Sequence, residues 1–191
     1  EIALHMRQSM IPVDITPEAI DTCGTGGSGK DTINTSTLSA FIVAAAGGLV
    51  AKHGNRSASG NCGSFDVLEQ CGVTILLSPE QEAELFDTCG IVCMFAPLHH
   101  PAMKYVAPLR KEYGRKTIFN LVGPLCNPAP INKQVIGTGN TTDALLLAET
   151  LYNLKSYGSV VVSGNDGLDE LSTTSTSTIY KVTEEGFSAG T

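Results

Sequence analysis

The sequence predicts an α/β fold built on a central, mostly parallel sheet flanked by helices. Strand-like and helix-like segments alternate along most of the 191 residues, the pattern that generates β-α-β layers. Predicted strands such as IVCMFA at 91–96 are short continuous apolar runs, as expected of strands buried on both faces. Polar, glycine-rich loops follow the predicted strands, where open α/β sheets carry their ligand loops.

The elements follow in order. In EIALHMRQSM, Ile2, Met6 and Met10 share one helical face, which reads as a helix entered partway along. Ala19–Cys23 is a short strand running into the first glycine loop. Ser36–Gly47, STLSAFIVAAAG, is nearly all apolar and predicts a buried helix with Ser36 or Thr37 at its N-cap. Leu49–Lys52 is a second strand, delivering the second polar loop. Ser64 is expected to cap a helix, SFDVLEQCG, that stops at Gly72. Ser78 and Pro79 open an amphipathic helix to Cys89, and Ile91–Ala96 is a buried strand. HHPAMKYVAPLRKEYG reads as a loop and then a helix bearing Lys104, Arg110 and Lys111. GPLCNPAP at 123–130 is a connection by its Pro and Gly content. Gln134–Gly137, helix Thr142–Leu154 and strand Ser159–Ser163 form another β-α-β unit, and Thr178–Val182 is the last predicted strand.

Composition narrows the function. With 42% hydrophobic and 16% charged residues the chain is an ordinary globular one. No apolar run approaches the roughly 20 residues of a membrane-spanning helix, and the charged residues within the first ten do not suit a signal peptide. A net charge of −7 opposes a general nucleic-acid surface without excluding a small anionic ligand in a cleft. The six cysteines include no C-x-x-C pair and are expected to be reduced thiols.

Two loops carry the chemistry. In the first, glycines at 24, 26, 27 and 29 free backbone N–H groups to face a ligand. That loop leads into a helix N-terminus, where unpaired donors favour phosphate oxygens. Asn34, Ser36 and Thr37 add side-chain donors, or, through Ser36, a hydroxyl ligand for Mg2+. Taken alone, the loop is equally a glycine turn between strand and helix. The second loop, KHGNRSASGNCGS, sets Lys52, His53, Arg56, two Asn and three Ser within thirteen residues after a strand. Together the loops point to a large anionic ligand, a phosphoribosyl diphosphate. Asp169 and Glu170 in GNDGLDEL supply hard oxygen donors that suit Mg2+ beside substrate phosphates, although such a pair is more often solvated surface. Arg110 as a fork suits a carboxylate, but exposed helical arginines are commoner. Nothing local decides the role of His99 and His100.

GTGGSG with TINTST, KHGNRSASG with GSFDVLE, HHPAMKYVAPLR, TIFNLVGPLCNPA and DGLDEL together resemble the anthranilate phosphoribosyltransferase family, from about Asp21 to Leu171. The resemblance implies transfer of the phosphoribosyl group of 5-phosphoribosyl 1-diphosphate to the amine of anthranilate, in tryptophan biosynthesis. Gly24, Gly27, Ser28, Thr32, Asn34, Ser36 and Thr37 would line the phosphoribosyl-diphosphate site. Lys52, Asn55, Arg56, Ser57, Ser59, Gly60 and Ser64 would close around it. Ser36, Asp169 and Glu170 would hold Mg2+. Gly24, Asn55, His100 and Arg110 would meet anthranilate, Arg110 at its carboxylate, and no residue acts as a covalent nucleophile. The family fold implies a remnant of a helical domain at 1–15 and an α/β domain at 16–191, incomplete at its C-terminal side, with part of 78–120 packing on the helical part. It further implies a cytoplasmic homodimer.

The chain departs from the family at Ser28, where Asp is usual, with Asp31 nearby, and at Phe65, where a small residue is common. A pyrimidine-nucleoside phosphorylase-like enzyme and a non-catalytic phosphate-binding relative are the alternatives.

Overall fold

The computed structural model of the chain describes every residue except 27, 31 and 58–61, and leaves the side chain of residue 111 outside the description. Its strands are β1 (Ile20–Gly24), β2 (Val50–Gly54), β3 (Ile91–Phe95), β4 (Lys133–Gly137), β5 (Ser159–Gly164), β6 (Ser177–Thr183) and β7 (Gly186–Gly190). Among the described residues they form one seven-stranded sheet in the order β3-β2-β1-β4-β5-β6-β7. β1 to β5 run parallel, and β6 and β7 add an antiparallel hairpin at one edge. The predicted α/β class is borne out.

The helices are α1 (Ile2–Ser9), α2 (Thr35–Ala45), α3 (Ser64–Gln70), α4 (Pro79–Cys89), α5 (Ala96–His99), α6 (Ala107–Tyr113), α7 (Ile118–Val122) and α8 (Thr141–Asn153), with 3-10 turns at Pro101–Tyr105 and Gly123–Leu125. On α8, Ala144, Leu147, Ala148 and Leu151 recur at helical spacing and are buried. They pack on Ile136 of β4, Val161 of β5 and Val182 of β6, with Ala3 of α1 closing the cluster. Phe86 of α4 covers Ala51 of β2 and Val92 and Met94 of β3.

α4 shows how local the start of a helix can be. Ser78 Oγ accepts from Gln81 N at 3.3 Å, Gln81 Oε1 accepts from Ser78 N at 2.9 Å, and Pro79 stands at the first helical position. Gly90 closes the helix at φ +70°. Ser78→Ala is expected to lower stability by about 1 kcal/mol, the usual worth of such a cap. Urea denaturation checks this, and an unchanged midpoint would show that the cap contributes nothing.

Four expectations are corrected. α2 begins at Thr35 with Asn34 in the cap position and no side-chain capping bond. It is not buried: only Thr37 and Ala40 are, while Leu38, Phe41 and Ile42 are 50%, 44% and 68% exposed. The sheet covers one side of a helix that is apolar on several. Ser64 is the first helical residue of α3, not its cap. Asp66 does the capping work, accepting from Gly63 N at 2.7 Å and Ser57 N at 2.8 Å. The segment after β3 is a run of helical turns rather than a loop. Last, β7 and α7 are additional to the predicted elements.

Candidate active site

The sheet order places a topological switch between β1 and β4. From β1 the chain crosses to β2 on one side, and from β4 to β5 on the other. The loops leaving neighbouring strands therefore diverge there and open a crevice at the carboxyl ends. The first glycine loop leaves β1, and Thr25 N stays bonded to Gly137 O of β4 at 2.8 Å. Thr22 Oγ1 donates to Ser36 O at 2.8 Å and so fixes the start of α2 over β1.

Lys52 lies at the centre of the crevice floor. It is 1% exposed, and its ammonium donates to Thr22 O at 2.5 Å and Ser36 Oγ at 3.1 Å. A buried ammonium requires compensating charge, and Asp21 supplies it from the neighbouring strand. Asp21 is fully buried, accepting from His53 N at 3.2 Å and Asn127 Nδ2 at 2.9 Å. Burial raises the Asp21 pKa, while Lys52, Asn127 and the backbone of His53 and Thr22 oppose the rise. Asn127 also donates to Ala51 O at 2.9 Å and accepts from Ala129 N at 2.8 Å.

The acidic loop after β5 closes one side. Backbone contact demands glycine here: a Cβ at Gly137 would fall on the Asp169 carbonyl oxygen, and one at Gly24 would come within 3.2 Å of Asp169 Oδ2. Glu170 bonds to the Thr35 side chain at the start of α2. Burial raises its pKa, Asp169 adds to the rise, and the Thr35 bond opposes it. Glu170 at the N-terminus of α2, one residue from the Ser36 hydroxyl, and the neighbouring Asp169 beside Gly24 make a hard-oxygen donor set that fits Mg2+. Among the described residues no group of three His, Cys, Asp or Glu gathers for a metal. The fit is thus to an ion that keeps water and phosphate ligands.

Ser28 lies in the same crevice: a Cβ at Gly139 would reach Gly167 O at 3.2 Å and Ser28 Cα at 3.8 Å. Its hydroxyl accepts only weakly, from Lys30 N at 3.4 Å. Asn34 is partly buried at the cap of α2, and Thr32 is exposed on the approach to it. Thr37 is 3% exposed with its hydroxyl unpartnered among the described residues. Gly27, Asp31, Ser59 and Gly60 lie outside the described residues.

The second loop is organised by its own contacts. Ser64 Oγ donates to Asn55 O at 3.2 Å, and Ser57 is held by Asp66. Arg56 is engaged within its own neighbourhood. It donates to Glu69 at 2.7 and 2.8 Å and stands 4.7 Å over the Phe95 ring. Phe65 is fully buried and packs on Phe95 at 5.1 Å, so it serves the core.

A second recess opens beyond the first loop. A cavity of about 280 Å³ is lined by Thr25, Lys116, Thr117, Asn120 and Leu121, among others. Arg110 borders this region, donating to Asn120 Oδ1 at 3.3 Å and lying 5.6 Å from the Phe119 ring centre. His100 is buried and set edge-on to His53, with ring centres 5.1 Å apart. Neither Nε2 has a partner among the described residues. Burial lowers the pKa of both rings. His100 and His99 lower that of His53 further, while a Cys126 backbone bond opposes the fall at His100. Both shifts favour the neutral imidazole. The sequence named His53 among the polar residues of its loop but gave it no role, because its meeting with His100 spans 47 positions. All six cysteines are unpaired. Burial pushes the Cys93 and Cys126 thiols to about 11, which disfavours the reactive thiolate.

This mostly parallel sheet, with glycine loops, a buried lysine and paired carboxylates at its switch point, is the ligand-binding frame of an open α/β protein. The chain belongs to the glycosyl transferase family: its α/β-domain profile matches residues 16–189. It is similar to the anthranilate phosphoribosyltransferases of Geobacillus stearothermophilus (52% identical over 87% of this chain and 49% of the relative) and Hahella chejuensis (53% over 87% and 49%). The chain thus spans about half the length of the curated relatives it matches. Its structure is similar to that of the Thermus thermophilus anthranilate phosphoribosyltransferase (TM-score 0.88, 44% identity, 100% of this chain and 57% of that one). It is also similar to the Saccharomyces cerevisiae enzyme in complex with PRPP and Mg (TM-score 0.87, 27% identity, 99% and 53%). The resemblance drawn from the motifs is borne out.

Proposed function

We propose that the full-length protein transfers the phosphoribosyl group of 5-phosphoribosyl 1-diphosphate (PRPP) to the amine of anthranilate, releasing diphosphate. The observation that carries this reading is the convergence of Lys52, the start of α2 and the Asp169–Glu170 loop at the switch point. The yeast relatives solved with PRPP and Mg and with 4-fluoroanthranilate support the substrate pair.

In this reading the first loop and the α2 N-terminus receive the diphosphate through N–H groups and the helix dipole. Lys52 contributes a fixed positive charge below it. Ser36, Asp169 and Glu170 would hold Mg2+, which when bound supplies charge neutralisation at the leaving diphosphate. The Ser36 oxygen keeps a lone pair beyond its contact with Lys52. Asn55, His100 and Arg110 orient anthranilate, so that its amine lies opposite the leaving group. No covalent nucleophile is needed, since the work is positioning and electrostatics.

Loss of anthranilate fluorescence on mixing with PRPP and Mg2+ tests the reading, and no turnover by the full-length protein would overturn it. Arg110→Ala is expected to raise KM for anthranilate by about tenfold or more, since a hydrogen bond to a charged group contributes roughly 1.5–3 kcal/mol. KM for PRPP should hardly move, and an unchanged anthranilate KM would remove Arg110 from the site.

We also propose that residues 1–15 belong to a helical domain on which part of 78–120 packs, with a cytoplasmic homodimer formed through it. The exposed Ile2, Leu4, Tyr105, Leu109 and Tyr113 support such packing. Among the described residues no helix is long and apolar enough to cross a membrane.

A further inference from the structure

Glu82 of α4 and His99 of α5 are 0% and 1% exposed, and neither has a role in the site described above. His99 Nε2 lies 3.2 Å from Glu82 Oε1 and 3.1 Å from Oε2. Its other nitrogen, Nδ1, faces Ile11 O at 3.0 Å, so Nδ1 must carry a proton and donate. The return bond, Ile11 N to His99 O, measures 2.8 Å. One imidazole thus ties α4, α5 and the segment after α1 together. The titratable groups facing it are Glu82, the adjacent His100, and His53 on β2. Burial opposes its charge, but the Glu82 and Ile11 bonds outweigh that and hold His99 above the ordinary histidine range.

Stability alone does not call for this pair, because apolar residues of similar volume often serve a core as well or better. What an ion pair with two hydrogen-bonded ring nitrogens adds is orientation. The residue it orients is the start of the next turn, His100, whose ring stands against His53 with Nε2 unpartnered.

We propose that Glu82 and His99 are positioning residues for the anthranilate side of the site, fixing the turn at Ala96–His99 so that His100 meets His53 at a set angle. The inference rests on the function proposed above. It predicts a split between substrates: the pair adjoins His100, which packs on His53, and makes no hydrogen bond to Lys52, Asp169 or Glu170 among the described residues.

The test uses the full-length protein in three variants. Glu82→Ala is expected to raise KM for anthranilate by about tenfold while KM for PRPP stays within about twofold, the pattern of a small misplacement on one side of the site. Glu82→Gln should restore the anthranilate KM, because its amide donates to a neutral His99 Nε2 while Nδ1 still donates to Ile11. The double variant Glu82→Leu, His99→Leu should fold as stably as the parent by thermal unfolding, yet keep the raised anthranilate KM. If Glu82→Ala does not fold, the other two variants decide. A double-leucine variant with parental KM, or an equal rise for both substrates, would overturn the proposal. Histidine ring NMR provides a readout independent of turnover. The His53 and His100 signals should shift in the double variant and stay near parental positions in Glu82→Gln. Shifts confined to His99 and its loss would overturn the proposal. Absence of turnover in the parent would instead refute the proposed function, leaving the ring coupling to be judged by NMR.

Discussion

Gly137→Ala is expected to lower turnover by about 100-fold or more in the full-length protein, the scale of a misplacement near 1 Å at a reacting centre. The added methyl would occupy the place of the Asp169 carbonyl oxygen. Backbone cannot yield as a flexible side chain does, so the loop carrying Asp169 and Glu170 must move off the end of β4. Overpacking of this kind also costs roughly 1–3 kcal/mol of stability. The mechanism predicts that the loss concentrates in Mg2+-dependent diphosphate binding. Titration calorimetry with inorganic diphosphate and Mg2+, alongside thermal unfolding, separates that from general damage. Parental affinity in a folded Gly137→Ala variant would show that the acidic loop does not hold the metal.

Lys52→Met is the second large effect. Methionine nearly matches the volume but removes the ammonium that bonds Thr22 O and Ser36 Oγ. Turnover is expected to fall by about 100- to 1,000-fold, as when one preorganised donor to a developing anion is lost. Stability falls as well, because Asp21 is left buried without its countercharge. The direction of the pH dependence follows. Burial already raises the Asp21 pKa against the pull of Lys52, so losing Lys52 raises it further. A group whose folded pKa is raised favours the folded state most below its unfolded value of about 3.9 for Asp. That contribution disappears as pH rises through the folded value. The stability gap between Lys52→Met and the parent should therefore narrow as pH is lowered from 7 toward the unfolded value of about 3.9, measured by urea denaturation. A gap that widens toward acid would mean Asp21 is not the partner of Lys52.

What the sequence made legible was whatever neighbouring residues decide. Ser78, Pro79 and Gln81 announce the start of α4 because a capping box closes within four positions. The apolar runs of β3 and β5 and the glycine loop after β1 are equally local. Asn127 is the opposite case. Within GPLCNPAP it reads as part of a connection, yet it bonds Asp21, Ala51 and Ala129 in the buried floor of the site. No local signal marks a side chain whose partners lie so far along the chain. α2 failed for a different reason: apolar composition states a demand for burial, and only the tertiary fold shows that the sheet meets it on one side. β7 escaped because GFSAG carries no β-branched residue and no alternation, its pairing coming entirely from β6. The bond of Arg56 to Glu69, thirteen positions on, likewise has no local signal.

The bond between Asp21 and Asn127 has a consequence for how the chain assembles. Its partners are 106 residues apart, so it cannot form until β1, β2 and the segment after α7 have been brought together. Closing so long a loop costs entropy before any contact rewards it. Interactions completed after the rate-limiting step govern unfolding rather than folding. A contact that joins late is expected to slow the opening of the native state more than it speeds its formation.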